Sequence, residues 1–125
     1  ECTGDRQWIH TDVERTRRES PYRQPIAQGY LTLSLVAALL QDISGAFDNI
    51  QAAFNHGVDN VRFLAPVLAG ARVRLRLTLL SVEESGPGKF LMRGSSVMEI
   101  EGESQPALTA EPLITIFERR VRRPA

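Results

Sequence analysis

Sulfur and lysine are nearly absent from this chain. One cysteine, Cys2, stands among 125 residues, which excludes an internal disulfide framework and fits a reducing compartment such as the cytoplasm. Fourteen of the fifteen basic residues are arginine, and Lys89 is the lone lysine; codon usage in a GC-rich genome produces that bias, so no function is read from it. Neither sign of charge is in excess, with 15 basic and 15 acidic side chains. A general nucleic-acid binder would carry a strongly basic footprint, and none is present. Long apolar runs are missing too. The longest, Leu35 to Leu40, is far too short to span a bilayer. There are no internal repeats and no low-complexity stretch. What is there, 42% hydrophobic and 24% charged residues, describes one ordinary globular domain.

The first 25 residues are polar, with prolines at 21 and 25. They read as loops around one helical turn over Asp12 to Arg18, which the Asp12 carboxylate caps by accepting amides two or three residues on. Gly29 then opens the strongest helical segment, Tyr30 to Ile43. Leu31, Leu35, Ala38 and Leu39 share one face, and Leu33, Val36 and Leu40 widen it, so the helix is expected to be buried on most sides. Pro25 before it and Gly45 after it punctuate the segment.

Beyond the helix the period changes. Val61 to Leu64 reads as a short strand ended by Pro66. Val73, Leu75, Leu77 and Leu79 alternate with Arg74, Arg76 and Thr78, the pattern of a half-buried strand. Gly86-Pro87-Gly88 turns the chain into a second such strand, Phe90 to Glu101, and Gly102 to Gln105 turns it into a third, Ala107 to Phe117. Pro112 cannot donate a ladder hydrogen bond, so its strand is expected at an edge or with a bulge. The Glu118 to Arg123 run reads as a solvated tail. A buried helix followed by strands joined through tight turns makes an α+β domain, with an antiparallel sheet covering the helix.

Two places could carry chemistry. Asp5 and His10 lie five residues apart, and Trp8 and Ile9 between them would pull that loop onto the core, where a carboxylate and an imidazole interact more strongly. Pro25-Ile26-Ala27-Gln28-Gly29 leads into the helix. A glycine there admits close backbone approach, and the free amides with the positive end of the helix dipole favour developing negative charge. Either feature alone is also what an ordinary cap or surface pair looks like. His10, His56 and Cys2 form no metal-ligand pattern of recognised spacing.

Taken in order, three blocks resemble one family. Thr3-Gly4-Asp5-Arg6-Gln7-Trp8-Ile9-His10 is similar to the hydratase motif of the MaoC-like, (R)-specific enoyl-CoA hydratases. Ser20-Pro21-Tyr22 and Pro25 to Leu35 resemble that family's central-helix entry. Asn55-His56-Gly57-Val58-Asp59-Asn60-Val61-Arg62-Phe63-Leu64-Ala65-Pro66-Val67 resembles the strand that follows, and the likeness runs on to about Phe117. The branch most similar is the one called nodulation protein N-like.

The resemblance implies a hot-dog fold, in which an antiparallel sheet wraps one long central helix. It implies reversible addition of water to a trans-2-enoyl-CoA, or a related acyl thioester, giving the (3R)-hydroxyacyl thioester. The catalytic pair maps onto Asp5 and His10, and the amide that polarises the thioester onto Gly29. Gln28 and Asn55 are further candidates for substrate contact. No metal or redox cofactor is implied, since coenzyme A enters as part of the substrate. Arginines such as Arg62 are candidates for meeting its phosphates. Homodimers are the implied assembly, with pockets at the interface. Two other readings share the fold: an acyl thioesterase, and a catalytically silent acyl-binding subunit.

The chain departs from the family pattern at four places. Gln28 replaces a usual histidine, keeping hydrogen-bonding capacity without titrating. Arg23 stands where glycine is common, His56 where tyrosine is, and Pro112 where an aromatic is. Relatives also carry a strand and a helix before the Thr-Gly-Asp block, so residues 1–125 are expected to be a single domain of this type lacking those two elements.

Overall fold

The computed structural model describes residues 2–44 and 49–119. Two short helices come first, α1 over Trp8–Thr11 and α2 over Val13–Glu19. The long helix α3 covers Gly29–Ser44, and four strands follow: β1 Ile50–Phe63, β2 Val73–Gly86, β3 Lys89–Ile100 and β4 Leu108–Glu118. They form one sheet in the order β1-β4-β3-β2, every neighbouring pair antiparallel. The helix supplies Val36, Leu33, Leu39 and Leu40 to a core completed by Met98, Ile100, Leu108 and Ala110 from the sheet. That is the expected hot-dog arrangement, one helix against one face of an antiparallel sheet.

Local chemistry accounts for each element. Asp12 caps α2 as expected, its carboxylate accepting from the Arg15 amide at 2.9 Å. Burial along β3 alternates strictly, with Met92, Met98 and Ile100 inward. The β2–β3 hairpin turns through Gly88 at φ +69°, where a side chain would be strained. The turn after β3 uses Gly102 at φ +81° in the same way.

Four expectations are corrected. The strand read as Val61 to Leu64 begins at Ile50. Its first eleven residues include Gln51, Asn55, His56, Asp59 and Asn60, and most are exposed, because β1 lies at a sheet edge and buries neither face fully. Burial that would have imposed a two-residue period is therefore missing. The alternation expected through Leu79 stops at Leu77. A register shift between Leu79 and Ser81 leaves Leu79 and Leu80 exposed.

Pro112 lies in β4, which is central and not an edge. The β3–β4 register is the same on both sides of the gap between Arg93↔Leu113 and Ser96↔Ala110, so β4 carries no bulge there. The ladder simply leaves out two pairs where the proline has no N–H to give. Finally, α3 is not buried on most sides. Leu35 and Ala38 are exposed, and the core face runs through Val36, Leu33 and Leu40.

Gly45 and the run from Arg120 onward lie outside the described residues. No described helix is long and apolar enough to cross a membrane.

Candidate active site

The site is assembled where two segments lie side by side, the loop before α1 and the lead-in to α3. The lead-in is held first. The Ala27 amide donates to the Val67 carbonyl at 2.8 Å and the Ala69 amide to the Pro25 carbonyl at 2.8 Å, with a bridge between Ile26 and Leu68. The loop is then pinned to the lead-in, the Ile26 amide donating to the Ile9 carbonyl at 3.1 Å.

His10 Nδ1 donates to the Ile26 carbonyl at 2.7 Å. A carbonyl only accepts, so that nitrogen carries a proton, and the ring turns Nε2 to its other side. Nε2 faces Asp5 Oδ2 at 3.5 Å. The second Asp5 oxygen, Oδ1, is engaged by the Gln7 amide at 3.0 Å. One oxygen therefore orients the carboxylate and the other stays free toward the imidazole. His10 is largely enclosed, with 11% of its side chain accessible, against 31% for Asp5.

His10 and Gly29 line one cavity of about 300 Å³. Its remaining walls are apolar apart from the Thr32 hydroxyl, and include Ile26, Phe63, Leu64 and Val67. The first amides of α3 point toward no carbonyl of their own helix, as at any helix start. A Cβ on Gly29 would sit 3.1 Å from the Phe63 ring, so the position has room for little beyond hydrogen. Phe63 in turn meets Tyr30 edge-on, with ring centroids 6.0 Å apart. The arrangement is an acid–base pair, its two facing atoms too far apart for a good direct hydrogen bond, beside a helix N-terminus with a bare backbone.

The sequence candidates divide into two groups. His10 and Gly29 share the cavity, and Asp5, which does not line it, adjoins it through His10. Gln28 does not line the cavity; its side-chain nitrogen donates to Thr3 Oγ1 at 3.0 Å. Asn55 lies elsewhere, on a second, mostly apolar cavity of about 160 Å³ between the later turns of α3 and the sheet, with Ala37, Leu40, Phe54 and Ile114. Arg62 turns Nη1 onto the Val61 carbonyl at 2.8 Å. His56 lies on exposed β1, its Nδ1 3.4 Å from Thr115 Oγ1. Arg23 keeps the left-handed turn that glycine would favour, at φ 60°, and its Nη1 donates to the Arg17 carbonyl near the end of α2.

Sequence reasoning missed Thr3, Ile26, Thr32 and Phe63. Thr3 and Ile26 stand inside the motif blocks without a role being read for them, and Thr32 left a trace one helical turn after Gly29 on the same face. Among the described residues no three His, Cys, Asp or Glu side chains are grouped to hold a metal ion.

Known proteins share both the sequence and the fold. The chain is 39% identical over 114 residues to "3-hydroxyacyl-thioester dehydratase Z" of Mycobacterium tuberculosis, covering 91% of this chain and 74% of that protein. It is 39% identical over 118 residues to "Nodulation protein N" of Rhizobium leguminosarum bv. viciae, covering 94% and 73%. Among solved structures, an (R)-hydratase from A. caviae involved in PHA biosynthesis superposes with a TM-score of 0.72 at 20% identity, over 90% of this chain and 78% of that one. That likeness speaks for the hot-dog fold. The family described as "MaoC like domain" matches residues 1–97. On the family match and the two relatives together, this chain belongs to the MaoC-like domain family.

Proposed function

We propose that the protein is a hydratase and dehydratase of acyl thioesters, adding water to trans-2-enoyl-CoA to give the (3R)-3-hydroxyacyl thioester and running the reverse elimination. The observation that carries this reading is the Asp5–His10 pair, 3.5 Å apart, with His10 and Gly29 on one cavity wall. The name of the mycobacterial relative, a 3-hydroxyacyl-thioester dehydratase, supports the same chemistry.

A water seated beside the pair, bonded to both Asp5 Oδ2 and His10 Nε2, loses a proton to it as its oxygen bonds to the β-carbon. The π electrons move toward the thioester carbonyl and form an enolate. The α-carbon then takes a proton from the pair, so that the net change is one water added. Both groups face the same water, so the proton steps are assigned to the pair and not to one member of it. The Gly29 amide, at the positive end of α3, stabilises the enolate oxygen. The largely apolar walls of the cavity at His10 and Gly29 suit the acyl chain next to the thioester, and no redox cofactor or metal enters the steps.

The protein works as a homodimer in this reading. Tyr30, Phe54 and Phe63 are all about half exposed or more in the single chain, at 79%, 60% and 48%. The cytoplasm is the proposed compartment, on the single, unpaired Cys2.

Incubation with crotonyl-CoA tests the reaction. Hydration lowers the enoyl absorbance without releasing thiol, and free thiol appearing in step with that loss would point to a thioesterase instead. His10→Ala and Asp5→Asn should each lower kcat by about 100-fold or more, the usual worth of positioned acid–base groups. Wild type inactive on every enoyl chain length would leave the silent acyl-binding subunit.

A further inference from the structure

Gln28 is the residue just before the first turn of α3. Short side chains such as Ser, Asp or Asn suit that position because they fold back onto the helix's own amides. Gln28 does something else. Its backbone carbonyl is already engaged by the Thr32 amide at 3.0 Å and the Thr32 hydroxyl at 3.2 Å, and its side chain leaves the helix to reach Thr3, 25 residues earlier. Thr3 Oγ1 accepts there from Gln28 Nε2 at 3.0 Å, and from the Asp5 amide at 3.3 Å. One hydroxyl thus joins the start of the central helix to the backbone of Asp5.

The two members of the pair are held in different ways. His10 is fixed by a direct bond to the lead-in at Ile26. Asp5 has no direct bond to that segment: its amide is held by Thr3 and its Oδ1 by Gln7, both on its own loop. Thr3 and Gln7 are exposed and bury little that would fix them by packing. The Gln28–Thr3 bond is therefore the one hydrogen bond, among the described residues, that ties the Asp5 end of the loop to the frame carrying His10 and Gly29. Displacing Asp5 changes its 3.5 Å separation from His10, and with it the two bonds by which the pair would hold a water at its side.

We infer that Gln28 is a positioning residue, acting through the Thr3 hydroxyl to set Asp5 against His10, and that it makes no contact with substrate. The inference rests on the reading of Asp5 and His10 as the reacting pair. Its amide does not titrate, so the tether holds unchanged across the pH range in which the pair works.

Steady-state hydration of crotonyl-CoA by the intact chain tests this, with Gln28→Ala, Thr3→Val, Thr3→Ser, the Gln28→Ala/Thr3→Val double variant and His10→Ala. Misplacing a reacting group by an ångström is worth up to about 100-fold, so kcat should fall roughly tenfold or more in Gln28→Ala and Thr3→Val, with KM within about twofold of wild type. Thr3→Ser, which keeps the hydroxyl, should restore kcat. The double variant should be no worse than either single one, because both break the same bond. Thr3 is exposed, so Thr3→Val should keep the wild-type melting temperature and a loss of kcat there is not a loss of fold. A raised KM with unchanged kcat in Gln28→Ala would make it a substrate contact and overturn the inference, as would unchanged kcat in Thr3→Val or effects that multiply in the double variant. His10→Ala is the separate control: full activity there removes the reacting pair itself, whatever the Gln28 variants do.

Discussion

Gly29 shows how narrow the tolerances of the site are. The position a Cβ would take is 3.1 Å from both Cδ1 and Cε1 of Phe63, tighter than ordinary contact. Phe63 is half exposed, so its ring can move aside by a few tenths of an ångström, and Gly29→Ala should still fold. In the proposed reaction the added methyl would stand on the wall where the thioester oxygen approaches the backbone. The melting temperature of Gly29→Ala is expected to stay close to wild type, since alanine is also the better helix former. Its hydration kcat should fall by about 10- to 100-fold, the scale at which one lost oxyanion donor is felt. Equal kcat in the two proteins would remove Gly29 from the reaction. Arg23 shows the opposite economy. A non-glycine residue in the left-handed region costs roughly 1–2 kcal/mol, and here the arginine offsets part of it by donating to a carbonyl near the open end of α2.

At the scale of elements, legibility followed burial. The β2, β3 and β4 segments were readable because one face of each is pressed onto α3, and burial of one face imposes a period of two. Residues 50–60 were not, because an edge strand with both faces largely open is under no such constraint. Pro112 misled for a related reason: a proline forbids one hydrogen bond, not a central strand, and the ladder closes around the gap with its register intact. In the site, the Asp5 and His10 positions were legible from their short spacing and the family motif. The Gln28–Thr3 bond was not, since it depends on how a loop lies across a helix start, which no local pattern encodes.

The outer face of the sheet makes its own prediction. Glu99 on β3 accepts from Arg74 Nε and, at 2.7 Å, from Arg76 Nε of neighbouring β2. Hydrogen bonds from Arg74 and then Arg76 hold its carboxyl below the ordinary carboxylate range, outweighing desolvation. A depressed folded-state value means that the stabilisation is fully present above the unfolded value, about 4.3, and is lost as pH falls through the folded one. Glu99→Gln should therefore melt lower than wild type at pH 7, with the gap closing below about pH 4.3. The group is exposed, so the gap at pH 7 is expected to be small and to shrink further in high salt. A melting difference that stays constant from pH 7 to pH 3 would show that the ion pairs contribute nothing.

Taken as a whole, the described chain leaves apolar surface on both edge strands that a single copy does not cover. Of the two sheet edges, β2 intersperses its exposed Leu79, Leu80 and Val82 with Arg74, Arg76, Glu83 and Glu84, charges of the kind that discourage edge pairing. The β1 edge exposes Phe54, Val58 and Phe63, and Tyr30 and Leu35 stand exposed on α3. Phe63 and Tyr30 also belong to the cavity end of the molecule, where Phe63 packs over Gly29. A second copy meeting the β1 edge about a two-fold axis would cover that surface with the same surface, as an isologous contact requires. It would also shield the mouth of the site from water. Light scattering on the purified chain should then give twice the monomer mass. Val58→Lys, which sets a charge on that edge without touching the core, should lower the mass toward that of one chain and reduce hydration activity with it. A wild-type mass of one chain, or a Val58→Lys protein that stays dimeric, would move the interface away from β1.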